Sequence, residues 1–199
     1  MATTSSDNSA EPFVPDSHDL NVLRRAAADC QGCELYKAAT QTVFGWGLPH
    51  APLMLVGECP GDQEDLQGKP FVGPAGRLLN SALVAAGQDP EQTYQTNAVK
   101  HFRFEQRGKR RLHQKPRWRE VQACRPWLEA EVAAVTPQVI VCLGATAAQS
   151  LWGKDFRITR QRGEIMASPW GPMGLATYHR TPRADRKSTR LNSSHVALS

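Results

Sequence analysis

The chain of 199 residues contains no apolar run long enough to span a bilayer. Its first 17 residues lack the apolar core of a secretory signal and the arginine-rich pattern of a transit peptide. We expect these residues, 1–17, to form a disordered lead-in. Because no targeting segment and no internal repeat is visible, we expect a single cytoplasmic domain with no membrane partner, acting as a monomer.

The five cysteines are not expected to form disulfides, because a reducing cytosol keeps thiols free. Cys30 and Cys33 form a Cys-x-x-Cys turn, whereas 17 residues separate Cys124 from Cys142. Four thiolates from such segments suit either zinc or an iron–sulfur cluster. The alternative is a redox Cys-x-x-Cys with buried apolar cysteines elsewhere, and Cys59 is left over in both cases.

The formal net charge is +5, and the basic residues are concentrated in two segments. Residues 180–199 contain five arginines and lysines and one acid, whereas residues 100–119 contain nine and one. Aromatic residues are interleaved in the second segment, which favours a phosphate-facing surface. A solvated charged loop is the alternative.

Helical and strand patterns alternate along the chain. Short apolar runs such as PLMLVG at 52–57 have the pattern of buried parallel strands, at 52–57, 93–99, 138–143 and about 175–179. Helices are predicted at about 19–30, 74–86, 117–134 and 145–152, with loops at 57–73 and 100–117. The alternation predicts an α/β domain with a mainly parallel sheet, and its site is expected beyond the carboxyl ends of the strands.

The segment GECPGDQED at 57–65 follows a predicted strand and contains four carboxylates in eight residues. Glycine and proline fix a tight backbone there, but the segment lacks the lysine and the spacing of a phosphate-binding loop. Its carboxylates, including Glu58 and Asp62, are candidates for orienting a nucleophile, binding a metal or stabilising a cation. A solvated acidic loop is the alternative.

Three further residues are candidates for ligand contacts. Phe71 lies between glycines that let a flat ligand approach its ring, although a core phenylalanine has the same pattern. Asn97 ends a predicted strand, and its amide offers the adjacent donor and acceptor that a pyrimidine edge requires, unless it is only a turn residue. His113 ends the basic sequence GKRRLH and is a candidate nucleophile, with a phosphate contact as the alternative.

Together these motifs resemble the iron–sulfur uracil-DNA glycosylases of family 4, and most closely the UdgX type. The resemblance covers 57–65, GKPFVGPAG at 68–76, TNAVKHF at 96–102 and LGATAA at 143–148, in the family's order. It extends over about three-quarters of the chain, from 30 to 179. It implies a three-layer α/β/α fold at 18–180 with a central, mainly parallel four-stranded sheet. The sequence KRRLH at 109–113 is the mark of the UdgX type.

The resemblance also implies a cofactor, a partner and a set of roles. It favours a [4Fe–4S] cluster over zinc, with the ligands Cys30, Cys33, Cys124 and Cys142. The implied partner is uracil-containing DNA, in which single strands are the expected substrate and double strands are left open. The implied uracil contacts are Gly57, Cys59, Phe71 and Asn97, and the DNA contacts are Lys109, Arg110 and Arg111. The implied catalytic residues are His113, Glu58, Asp62 and His179. Among these, His113 bonds to the sugar, Glu58 orients its imidazole and His179 stabilises uracil O2.

Two features depart from the family. Cys59 occupies a position where UdgX-type proteins generally have glutamine. After His179 the chain reads Arg-Thr-Pro instead of Pro-Ser, and residues 181–199 form a polar basic tail without apolar periodicity. We interpret 181–199 as an atypical tail that is not native to this fold.

Three functions are consistent with these patterns. The first is a glycosylase that excises uracil and remains bonded to the abasic site through His113. The second is an ordinary turnover glycosylase in which His113 contacts phosphate. The third is a non-catalytic iron–sulfur or zinc module that binds nucleic acid through residues 100–119 without preference for uracil.

Overall fold

The computed structural model describes residues 8–178. Its sheet contains the strands β1 (Trp46–Gly47), β2 (Leu53–Gly57), β3 (Thr93–Asn97), β6 (Val139–Leu143), β7 (Met166–Ala167) and β8 (Met173–Thr177). The strand order is β1-β3-β2-β6-β8-β7, and the four central strands are parallel. The predicted α/β fold with a mainly parallel sheet is therefore confirmed. The predicted count of four strands omits β1 and β7, two-residue strands that pair antiparallel at the edges.

Within the described residues, six α-helices accompany the sheet, and short polar or glycine signals set their ends. They are α1 (Leu20–Ala28), α2 (Asp62–Gln67), α3 (Pro74–Ala85), α4 (Trp118–Val135), α5 (Ala145–Trp152) and α6 (Ile158–Gln161). Asp19 caps α1 by accepting hydrogen bonds from two main-chain N–H groups. Gly68 ends α2 in the left-handed conformation, and a proline occupies the first position of α3.

The helices cover both faces of the sheet. Alternate residues of the central strands, such as Met54 and Ile140, share one core with Leu23 of α1, Trp127 of α4 and Leu151 of α5. The connection through α3 runs from β2 to β3, opposite in direction along the sheet to the connections that lead on to β6 and β8. Because such crossovers between parallel strands are right-handed, α3 lies on the opposite face of the sheet from α4 and α5. The result is the three-layer arrangement that the resemblance implies.

Two segments predicted as loops contain regular structure. The acidic loop at 57–73 includes α2, and the basic loop at 100–117 includes an antiparallel hairpin of β4 (Phe104–Arg107) and β5 (Arg110–His113). The strands of the hairpin are joined through Gly108, whose φ of +58° suits a residue without a side chain. Neither element is predicted from the sequence, because both consist largely of charged and polar residues and lack a long apolar pattern.

Part of the lead-in predicted as disordered is packed on the domain. Ala10 is buried, its main-chain N–H donates to the carbonyl of Ala123 in α4 at 2.7 Å, and Glu11–Phe13 forms a 3-10 turn. His179 and the tail at 181–199 lie outside the described residues. Within residues 8–178, no helix is both long and apolar enough to cross a membrane.

Candidate functional site

The carboxyl ends of β2 and β3 border a cavity of about 700 Å³. Six of the residues predicted for the site line it: Glu58, Cys59, Asp62, Phe71, Asn97 and His113. They come from the loop after β2, the first residue of α2, the segment before α3, the end of β3 and the end of β5. The expected convergence at this edge of the sheet is therefore observed.

Gly57 brings the Asn97 amide and the Phe71 ring together at the floor of the cavity. The two strands pair Gly57 with Asn97, and a Cβ on Gly57 would collide with Asn97 Oδ1 and lie 2.8 Å from Phe71 Cζ. Asn97 is buried, yet its side-chain amide makes no hydrogen bond to any other residue within 8–178. Its amide is therefore available to a ligand that lies against the ring.

Phe71 has features of a ligand contact and not of a core residue. It is only partly buried, and its φ of +56° is uncommon for a residue with a side chain. A Cβ on Gly76 would overlap the Phe71 carbonyl, so the close approach of α3 depends on that glycine. Strained backbone of this kind concentrates at functional sites.

The hairpin brings His113 into the cavity. His113 pairs with Phe104 at the base of the hairpin, and its ring lies 6.0 Å from the ring of Phe102. Its Nε2 is 3.2 Å from Cys59 Sγ. Burial, followed by the charge of Glu58, raises the pKa of Cys59, so this thiol is protonated at neutral pH.

Arg111 holds the hairpin against α2. Its guanidinium donates to Asp62 Oδ1 and to Asp65 Oδ2, both at 2.6 Å, and lies over the rings of Phe102 and Phe104. Asp65 is fully buried, so this pairing is structural. The predicted DNA contact of Arg111 is therefore not supported by its position, whereas Lys109 and Arg110 are exposed at the tip of the hairpin.

The two predicted catalytic carboxylates have different partners. Asp62 is engaged by Arg111, as described above. Glu58 Oε2 accepts a short hydrogen bond from Thr146 Oγ1 at the start of α5. A Glu58 oxygen lies within 4.8 Å of a His113 nitrogen, but Cys59 makes the closest recorded contact with that imidazole. No hydrogen bond joins Glu58 to the imidazole within residues 8–178, so the orienting role of Glu58 stays a prediction, and Thr146 orients Glu58 itself.

A buried ion pair supports Asn97 from behind. Lys100 Nζ donates to Glu131 Oε2 at 2.5 Å, to Thr96 Oγ1 at 2.7 Å and to the Asn97 carbonyl at 2.7 Å. Both charged side chains are at most 1% exposed. The ammonium group of Lys100 therefore holds the backbone of Asn97 in place at the end of β3.

Three of the four predicted cluster cysteines come together beside this ion pair. The pKa of Cys124 is raised to about 12, mainly by burial; the charge of Lys100 opposes the rise, and the neighbouring Cys33 and Cys30 add to it. The main-chain N–H of Lys100 donates to Cys124 Sγ at 3.3 Å, and Trp127 Nε1 donates to Cys30 Sγ at 3.1 Å. The three cysteines thus lie in one buried region.

Cys142 is not part of this group. It lies on β6, opposite Val56 of β2, and Val56 is in turn opposite Thr96 of β3. Two strand spacings, about 10 Å, therefore separate its backbone from β3. Burial alone raises its pKa, without a contribution from another cysteine.

His101 is the donor that the sequence analysis overlooked. It is buried, directly follows Lys100, and lines a cavity of about 190 Å³ together with Cys30. Burial lowers its pKa to about 4, and its Nε2 lies 2.9 Å from Thr42 Oγ1. The sequence did contain one signal for His101: it closely follows the strand predicted at 93–99, which precedes the helix that carries the predicted ligand Cys124.

The donor spacing distinguishes a single ion from a larger group. Ligands of one zinc ion lie within about 4 Å of one another. Among the described residues, the four cysteines predicted as cluster ligands, Cys30, Cys33, Cys124 and Cys142, are not part of any set of three donors within 4.8 Å of each other. Cys30, Cys33 and Cys124 share one buried region without converging on one point, and such an arrangement fits a metal cluster better than a single ion.

Comparisons with known proteins agree with this geometry. A family model described as the Uracil DNA glycosylase superfamily matches residues 44–197. The Type-4 uracil-DNA glycosylase of Archaeoglobus fulgidus is 37% identical over 167 residues, 80% of this chain and 80% of that protein. That of Sulfurisphaera tokodaii is 34% identical over 150 residues, 73% of this chain and 65% of that protein. That of Thermotoga maritima is 33% identical over 173 residues, 86% of each chain.

Proposed function

The chain belongs to the uracil DNA glycosylase superfamily, and from this membership we propose that it excises uracil from DNA by cleaving the bond between uracil N1 and sugar C1′. The observation that carries the proposal is the approach of the Asn97 amide and the Phe71 ring over Gly57 in an open cavity. A base inside a duplex cannot reach such a cavity, so the target nucleotide is extruded from the stack.

Asn97 and Phe71 account for the choice of uracil. The ring offers a stacking surface, while the amide donates to uracil O4 and accepts from N3–H. Cytosine presents the reverse donor and acceptor pattern at these atoms. Because Asn97 is buried, cytosine would leave its polar groups unpaired, which a site of this kind rejects strongly.

Cleavage moves the bonding electrons to uracil and leaves positive charge on the sugar. Glu58 and Asp62 line the cavity, and their carboxylates stabilise that cation electrostatically. Thr146 holds Glu58 in place, and Arg111 holds Asp62. The resemblance assigns stabilisation of the charge on uracil O2 to His179.

We further propose that His113 captures the sugar cation. The Nε2 lone pair of the neutral imidazole forms a bond to C1′, the C1′–N1 electron pair leaves with uracil, and the imidazolium then releases its Nδ1 proton. The position of Nε2 in the cavity and the double anchoring of the hairpin by Arg111 support this step. The product is a stable protein–DNA bond, so each molecule reacts once.

The alternative is a turnover enzyme in which water attacks C1′. The names of the three relatives described above, each a Type-4 uracil-DNA glycosylase, favour it. In that case a carboxylate such as Glu58 orients the water, and His113 only contacts the DNA strand. Both reactions share the same base recognition and differ in the attacking group.

We propose that a [4Fe–4S] cluster is bound through Cys30, Cys33 and Cys124, with His101 as the fourth ligand in place of Cys142. The grouping of the three thiols and the position of His101 beside Cys30 support this set. The cluster would cross-link the segment after β3, α4 and the Cys-x-x-Cys turn. Lys109 and Arg110, at the exposed tip of the hairpin, are the proposed phosphate contacts of a monomeric enzyme.

A denaturing gel tests the proposal. The protein is mixed with a labelled uracil-containing single-stranded oligonucleotide, and a thymine oligonucleotide serves as the substrate control. We expect a band that resists heat and SDS with uracil only, and its loss in His113→Ala. His50→Ala is the matched control, because His50 is an exposed histidine on the loop before β2.

The outcomes separate the three hypotheses. An adduct that persists in His113→Ala would exclude His113 as the nucleophile. Free abasic product without a shifted band would establish the turnover enzyme. Salt-sensitive binding without excision, equal for uracil and thymine, would favour the non-catalytic module.

A further inference from the structure

Glu58, Cys59 and His113 form a compact group of potential metal donors in the wall of the cavity. A carboxylate oxygen, the thiol sulfur and a ring nitrogen all lie within 4.8 Å of one another. The closest recorded contact is 3.2 Å, between Cys59 Sγ and His113 Nε2. Within residues 8–178, no other set of three such donors is this compact.

The distances are close to those of a zinc site. Zinc binds sulfur at about 2.3 Å and nitrogen or oxygen at about 2.0–2.2 Å, so tetrahedral ligands lie roughly 3.3–3.6 Å from one another. Cys59 Sγ and His113 Nε2, 3.2 Å apart, are within a few tenths of an ångström of this separation. Because the Glu58 oxygen lies within 4.8 Å of both, it needs to move by at most about 1.5 Å. Glu58 Oε2 is held by Thr146, whereas Oε1 has no recorded partner among the described residues.

The surrounding charges favour a cation. Glu58 brings one negative charge, and a metal-bound Cys59 thiolate brings a second. The two neighbouring guanidinium groups are already neutralised, since Arg103 pairs with Glu120 at 2.6 Å and Arg111 with two aspartates. The cavity supplies space for water at a fourth coordination position.

We propose that Glu58, Cys59 and His113 bind one Zn²⁺ ion, or a similar borderline divalent cation, and that the bound ion blocks the reaction of His113. One carboxylate, one thiolate and one imidazole are typical zinc donors. Binding replaces the proton on Sγ, which is released to the buffer. The site is separate from the cysteines assigned to the cluster.

The block follows from the electron pair that the metal uses. The neutral imidazole has one lone pair on Nε2 if Nδ1 is protonated, and a coordinated nitrogen cannot attack C1′. The ion also neutralises Glu58, which reduces the stabilisation of the sugar cation. This inhibitory half rests on the proposed function, whereas metal binding itself does not.

Direct binding is measured first, on the iron-loaded protein. Zinc chloride is titrated in competition with a chromophoric chelator, for the wild type, Cys59→Ser, Cys59→Gln and the control His50→Ala. We expect one Zn²⁺ per chain in the wild type and in the control. The affinity for zinc should fall by more than about tenfold in both Cys59 variants. Removing a residue that only hydrogen-bonds to a metal ligand already costs about tenfold or more in affinity, and removing the ligand itself costs more.

Inhibition is measured next, on the gel assay with uracil DNA. Each variant is normalised to its own rate without metal. One equivalent of Zn²⁺ should slow covalent capture by the wild type at least about tenfold, and brief addition of a chelator should restore it while the visible cluster absorption stays constant. In Cys59→Gln, the same Zn²⁺ concentration should leave the normalised rate unchanged.

Each result decides one part of the proposal. Zinc binding that is absent, or equally tight without Cys59, overturns the site. Tight binding at this site with an unchanged or increased rate of capture overturns the block. If no uracil is excised even without metal, the proposed function fails, and the titration still determines whether the site exists.

Discussion

The buried ion pair between Lys100 and Glu131 leads to a prediction about stability with a defined magnitude. Replacing Lys100 by methionine leaves the Glu131 carboxylate fully buried with three remaining donors, from Gly45, Tyr94 and Thr96. Breaking such a pair by removing one partner costs about 3–5 kcal/mol. For a chain of this size, about 2–4 °C per kcal/mol translates this loss into a melting temperature that is lower by about 6–20 °C.

The assay compares thermal unfolding midpoints at one scan rate, with two further variants. Lys37→Met is the control, because Lys37 forms an exposed ion pair with Glu34 at 2.7 Å, and its midpoint should not change. In Lys100→Met/Glu131→Gln, the neutral amide still accepts hydrogen bonds but carries no buried charge. It should regain more than half of the lost stability.

Two results would contradict this reasoning. If Lys100→Met melts within 2 °C of the wild type, the pair is not a significant contributor to the free energy of unfolding. If the double variant is no more stable than Lys100→Met, the cost does not arise from the unpaired Glu131 charge. In that case, the loss of the contact with the Asn97 carbonyl would be the main effect.

Four further variants, two for each feature, test the hairpin and the cluster. Arg111→Met should slow covalent capture by up to about a hundredfold, because the hairpin loses both ion pairs to α2 and His113 is misplaced. Arg110→Met at the exposed tip should instead reduce the salt dependence of DNA binding by about one unit of slope, and equal kinetic losses in the two variants would contradict the assignment. Cys124→Ser should remove the visible cluster absorption and Cys142→Ser should retain it, so a bleached Cys142→Ser variant would restore that cysteine to the ligand set.

The elements that the sequence predicts well are those with local signals. The strands β2 and β6 are continuous apolar runs, and Asp19 and Pro74 mark the beginnings of α1 and α3. The convergence of the segments after β2 and β3 follows from the rule for parallel sheets. It required no knowledge of individual contacts.

The contacts that were missed involve residues far apart in the chain. Arg111 looks like any other member of a basic run, and only the fold shows that it is paired with Asp65, 46 residues away. Similarly, Glu131 is one of several acids on α4, and its burial depends on Lys100. Sequence patterns report the type of charge, whereas the partner of that charge depends on tertiary structure.

Cys142 illustrates the same limit for metal ligands. Its residue type and its place on a strand after α4 favour coordination, but the register of β6 against β2 puts it two strands away from β3. His101 has a less obvious residue type and a better position. Position along a sheet, which spacing in the chain does not encode, therefore favours His101 in the proposed ligand set.

The arrangement around Lys100 explains how a cluster without a redox role would affect base recognition. The main-chain N–H of Lys100 donates to Cys124, and its ammonium group donates to the carbonyl of Asn97. Lys100 thus joins a proposed cluster ligand to Asn97, the residue proposed to read the base. If the cluster is lost, the proposed ligand His101 is no longer held, and Cys124 of α4 is no longer fixed beneath the main-chain N–H of Lys100. The constraint on the Asn97 amide then weakens. Loss of discrimination against cytosine on removal of the cluster would then follow from geometry alone, with no electron transfer.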